Sequence, residues 1–105
     1  MGSLQKKNWL HCCGRWSAAT PPVILVAGTG DWAVARNGAG SWDVTMNVGI
    51  DVTERCILVQ SRLTSTMAAT IPANDTDAVF RVVNSNDLAA ATDAEIDFLV
   101  IRNGA

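Results

Sequence analysis

Charge is scarce in this chain. Asp, Glu, Lys and Arg supply 17% of its 105 residues, against roughly 25% in an average globular protein, while apolar residues supply 49%. The only local basic cluster is Lys6-Lys7, loosely joined by Arg15. A nucleic-acid partner needs several cations on one face to neutralise phosphates, so none is expected. Long hydrophobic runs are also missing. The longest is Val23 to Ala27, far short of the roughly 20 residues a membrane helix requires, so no membrane partner is expected either. The stretch Met1–Lys7 is basic but lacks an apolar segment behind it, which argues against a signal peptide. Three cysteines cannot all pair within one chain, and in a protein made in the cytoplasm they are expected to be reduced thiols.

What the chain does have is short runs of Val, Ile, Thr and Trp between turn residues. Proline is confined to Pro21-Pro22 and Pro72, and glycine is concentrated between positions 28 and 40. That punctuation predicts an all-β domain, with strands over 8–16, 23–27, 32–36, 41–46, 55–60, 64–71, 78–84 and 95–102. Asn37-Gly38-Ala39-Gly40 lies between two alternating flanks, and Asn-Gly favours the positive φ of a tight hairpin. On the second flank Trp42, Val44 and Met46 share one face, and Ser41, Asp43 and Thr45 the other. The alanine-rich stretch 87–91 is too short for more than a turn or two of helix. Seven or eight short antiparallel strands imply a β-sandwich or jelly roll. The chain is read as a single domain, with an N-terminal arm and first strand in 1–20 and the body of the sandwich in 21–105.

Several strands are apolar on both faces. Cys56 and Leu58 alternate with Ile57 and Val59, Phe98 and Val100 with Leu99 and Ile101, and Val79 and Val83 with Phe80 and Val82. A sandwich buries only one face of each sheet, so the second face calls for another subunit. Ile57, Val59, Leu99 and Ile101 are the expected interface residues.

Asn8-Trp9-Leu10-His11-Cys12-Cys13-Gly14-Arg15-Trp16 holds the single histidine and two of the cysteines. In a strand His11 and Cys13 share a side with Trp9, while Leu10 and Cys12 face the other way. Even with Cys56 added, a tetrahedral zinc site would lack ligands, and a Cys–His nucleophile would lack an orienting group. No catalytic residue, metal or cofactor is expected. Acids at Asp93, Glu95 and Asp97 could meet a cation, but they also suit a solvated strand entrance. Gly28-Thr29-Gly30 and Gly38-Ala39-Gly40 lack the Lys-Ser/Thr ending of a phosphate loop. Trp32 and Trp42, with Asn84 and Asn86 in nearby loops, are the residues that could stack on and hold a sugar if exposed.

The run Trp32–Thr45, continued by Ile50–Arg55, Met67–Thr70 and Asp97–Ile101, resembles small virion domains of tailed bacteriophages. These are head-decoration and tail-fibre domains similar to trimeric C1q/TNF-like jelly rolls, and the similarity spans about residues 27–102. The resemblance implies a homotrimeric, non-enzymatic structural protein in the virion, with the major capsid protein or other virion proteins as its partners. A small Cys/His metal-binding protein built on His11, Cys12, Cys13 and Cys56 is a further alternative. In a decoration protein the amino-terminal arm and loops would make the capsid contacts. A tail-fibre tip recognising host glycans is the alternative it implies.

Overall fold

A computed structural model describes residues 8–86 and 90–103. The protein is all-β, with eight strands: β1 (Asn8–Trp16), β2 (Ile24–Thr29), β3 (Trp32–Gly38), β4 (Ser41–Met46), β5 (Arg55–Ser61), β6 (Thr66–Thr70), β7 (Val79–Asn86) and β8 (Ile96–Asn103). They form two antiparallel four-stranded sheets, ordered β2-β1-β8-β5 and β3-β4-β7-β6, packed as a β-sandwich. β1 lies inside the first sheet, between β2 and β8.

The alternation expected on β4 holds. Trp42, Val44 and Met46 are buried, and across the ladder Phe80 and Val82 join them. From the first sheet come Cys12, Trp16, Ile96, Phe98 and Val100. Five of the six aromatic side chains meet here. Trp32 stands edge-on to Phe98 at 4.6 Å between centroids, and Trp16 lies 5.7 Å from Trp42 and 5.8 Å from Phe98. Such tilted and edge-to-face pairs set positive ring edges against negative faces.

Gly14 makes room for this cluster. It pairs with Phe98 on the inner face, and a Cβ there would run into the Trp32 ring and lie 2.6 Å from the Val26 carbonyl oxygen. The Trp32 indole thus fills the place where a side chain would stand on β1, and its Nε1 donates to the Ala27 carbonyl at 2.9 Å. One residue links the first strand of the second sheet to both β1 and β2.

Three sequence expectations change. The positive φ of the β3–β4 hairpin falls at Gly40, not at Asn37 or Gly38. A register shift between Arg36 and Gly38 takes up Asn37 as a bulge, so the turn closes on Ala39-Gly40. The face assignment on β1 is also overturned. Leu10 pairs with Ile101 and Cys13 with Leu99, whereas Cys12 pairs with Val100, across a register shift between Leu10 and Cys12. Paired residues in an antiparallel ladder point to the same side, so Leu10 and Cys13 share the outer face and Cys12 turns inward. The extra residue of the bulge, His11, switches the parity. Finally, β7 runs on to Asn86, placing Asn84 and Asn86 in a strand. Of the stretch 87–91, residues 87–89 lie outside the described residues; Ala91 forms an isolated bridge to Ser85.

Replacing Gly14 with alanine should overpack this junction and cost about 1–3 kcal/mol. Gly38→Ala, with nothing within 4 Å of its Cβ position, should be near neutral. Urea unfolding of the two variants side by side measures the difference.

Candidate assembly surface

The outer face of the β2-β1-β8-β5 sheet is the most unusual surface of the molecule. Its ladders bring side chains into rows: Leu10, Ile101 and Cys56 in one, and Cys13, Leu99 and Leu58 in the next. Leu58 is 56% exposed, Leu10 is 39% exposed, and Cys56 is exposed. No charged side chain interrupts these six positions. The third row is Arg15, Asp97 and Gln60, and there the apolar surface stops.

That border is a charge ladder. Arg15 Nε donates to Asp97 Oδ1 at 2.6 Å, and Arg62 Nη1 to Asp97 Oδ2 at 3.2 Å. Arg62 also pairs with Glu95 at 3.0 Å. Burial pushes the Asp97 carboxyl up, but the hydrogen bonds from Arg15 and Arg62 outweigh it and leave it below its ordinary value. Asp93 is held low chiefly by the hydrogen bond from Arg36, against some burial, with a further one from the Gly40 amide. All three acids considered for a cation are therefore occupied by arginines. Among the described residues no group of three or more His, Cys, Asp or Glu side chains is placed to hold a metal. On the other side of the sheet, next to the Leu10–Ile101 row, Arg102 stacks over Trp9, 5.5 Å from the ring centroid.

At one side of the sheet lies β2. It pairs only with β1, and all six of its residues are exposed. Val23, Ile24, Leu25 and Val26 are between 42% and 55% exposed. These belong to the one five-residue apolar run in the sequence, expected as a strand and not as a membrane span. Its lack of charge was the signal for an exposed edge.

The expected interface residues divide between two faces. Leu99 and Ile101 are on the outer face, but Ile57 and Val59 point inward and pack against the core. Alternation along β5 exchanges them for Cys56 and Leu58. The residues expected to hold a sugar separate as well. Trp42 is 0% and Asn84 1% exposed, so neither presents a surface to a ligand. The Asn84 amide donates to the Thr92 carbonyl at 2.8 Å. Trp32 is committed to the aromatic cluster, and the Asn86 side-chain oxygen accepts from the Ala90 amide.

His11 and Cys12 are held by contacts within the fold. His11 Nε2 lies 2.7 Å from the Val48 carbonyl oxygen, an arrangement that requires its proton on Nε2. The small cavity beside it is lined by Cys12, Gly30, Asp31 and Asn47. Burial, reinforced by neighbouring Cys13 and opposed by Arg55, pushes the Cys12 thiol up to about 11. A thiol so reluctant to ionise is a poor nucleophile.

No family model, curated protein or solved structure matches this chain.

Two outcomes follow. A thiol reagent at pH 8 should label Cys56 before Cys12 in the folded protein, with Cys12 reached only on unfolding, as read by peptide mass after digestion. Asp93 has a lowered pKa when folded, so its stabilising effect is complete above its unfolded pKa of about 3.9. That effect is lost as pH falls through the folded value. Asp93→Asn should therefore lower the unfolding midpoint at pH 7 and show a shallower decline between pH 5 and pH 3 than the unsubstituted protein.

Proposed function

We propose that this protein is a non-enzymatic structural subunit of a phage particle, a homotrimeric jelly roll that binds the major capsid protein as a decoration, or cement, protein. The observation that carries the reading is the uncharged half of the outer sheet face, built from Leu10, Ile101, Cys56, Cys13, Leu99 and Leu58. A lone soluble domain gains nothing by exposing such a patch, whereas a subunit interface gains from every part of it that leaves water.

Two further features support it. β1 pairs with β8 and β4 with β7, pairings between strands far apart in the chain, as β-sandwiches with crossover connections have. The threefold stoichiometry and the virion location come from the resemblance of Trp32–Thr45 and its continuations to phage virion domains. In this reading the mechanism is burial. A small domain has limited core to draw on, and an obligate interface of about 2,000 Å² or more adds to it. A trimer seated across capsid subunits would then hold them together without any chemical step.

Light scattering on the purified chain at micromolar concentration tests the reading. A mass of three chains, or a multiple of three, is expected, and a stable monomer overturns it. Leu58→Asp should remove the threefold contact. Labelling of Cys56 should be slowed at least several-fold by assembly and return to the rate of an open thiol in that variant.

A further inference from the structure

We infer that Asn37 is a modification site: in the folded protein its side-chain amide is lost through a succinimide formed with Gly38, leaving a carboxylate on the β3–β4 hairpin. Asn37-Gly38 reads in the sequence as the turn of that hairpin, yet the structure gives it no such part. The positive φ belongs to Gly40. The ladder passes from Arg36–Trp42 to Gly38–Ser41, with Asn37 left unpaired as a bulge. The dipeptide keeps a chemistry of its own. An asparagine side chain is short enough to reach the backbone beside it, and glycine sets no Cβ against the approach.

The surroundings permit the reaction. Asn37 is exposed, and its Nδ2 donates to Ser41 Oγ at 3.5 Å, too long a contact to hold the amide firmly. Nothing stands within 4 Å of the place a Cβ would take on Gly38, so a five-membered ring has room to close there. A regular ladder would resist the backbone rotation this needs, but a bulge residue has no partner across the strand to hold it. Asn84, also followed by a small residue, is the contrast. It is 1% exposed, and its amide donates to the Thr92 carbonyl at 2.8 Å.

In the step itself the Gly38 backbone nitrogen attacks Asn37 Cγ. A new N–Cγ bond forms, the Cγ–Nδ2 bond breaks, and Nδ2 leaves with the Gly38 amide proton as ammonia. One water then opens the ring at either carbonyl, giving aspartate or its β-linked isomer, isoaspartate. Water enters and ammonia leaves, so no oxidant or cofactor is required. The extra backbone carbon of isoaspartate falls in the bulge, where no ladder pair has to shift. The new negative charge lies on the sheet opposite the apolar outer face, and the inference does not rest on the threefold reading.

The test is incubation of the full chain at pH 8, folded and in urea, followed by digestion in heavy-oxygen water, which marks any change made during digestion. Peptide mass keeps the site apart from the second Asn-Gly at 103–104. The peptide holding Asn37 should give two separable products of equal mass, each heavier by the exchange of NH2 for OH. The rate in the folded protein should lie within about tenfold of that in urea, a local opening cost of no more than about 1.4 kcal/mol. An Asn37 that stays intact when folded, or falls behind by more than that, overturns the inference. Asn84 should remain intact until urea is added, and a rate equal to that of Asn37 in the folded protein overturns the structural argument. Gly38→Ala should slow the change at Asn37 several-fold, and an unchanged rate overturns the route through Gly38. Should that variant fail to fold, Asn37→Gln decides: its longer side chain cannot close the five-membered ring, and equal loss of amide at position 37 overturns the inference.

Discussion

The fold depends on the contact between Trp32 and the bare backbone at Gly14. The two sheets can close on one another at this end only because β1 carries no side chain where the indole lies. Phe98, opposite Gly14 on β8, then receives Trp32 edge-on and Trp16 and Phe80 from either side. Once Phe98 faces inward, the period of two along a strand leaves its neighbours no choice. Ile96 and Val100 must also point in, and Asp97, Leu99 and Ile101 must point out. The apolar outer face is thus a consequence of the core packing. The same strand that anchors the interior exposes Leu99 and Ile101.

The scarce charges make this surface more distinct. Every arginine is engaged within the chain: Arg15 with Asp97, Arg36 with Asp93, Arg55 with Asp75, Arg62 with Glu95 and Asp97, Arg81 with Asp43, and Arg102 over Trp9. Apart from Arg55–Asp75, which is largely buried, these pairs are partly exposed and contribute little to stability. Their larger effect is on recognition, because they leave few unpaired cations to attract a charged partner.

Much of this was legible from residue types alone. β1 and β4 have the bounds that their Trp and Val patterns imply, and the inward face of β4 is a matter of counting by two from Trp42. The doubly apolar segments at 55–60 and 97–101 marked strands with two demands on them. What the pattern could not supply was parity. A β-bulge adds a residue without changing composition, so the shift between Leu10 and Cys12 reversed the faces assigned along β1. On β5, both alternating pairs were apolar, and only the position of the second sheet decided that Ile57 and Val59 go inside while Cys56 and Leu58 stay out. Asn84 was hidden for a related reason. An asparagine is expected at a surface, but a carboxamide that donates to the Thr92 carbonyl can be enclosed where it helps hold the tip of the β3–β4 hairpin against residues 91–93.

An apolar patch provides attraction without direction, since the hydrophobic effect follows area and not orientation. Specificity on such a surface has to come from its borders and from the backbone. Here the Arg15–Asp97–Arg62 ladder lies along one border, fixed by contacts within the subunit. A misplaced neighbour would bury those ionic groups without replacing the water around them, at a cost that a correctly seated neighbour avoids. In the proposed assembly a chain with so little charge would still have a defined contact, its few ion pairs limiting the contact area.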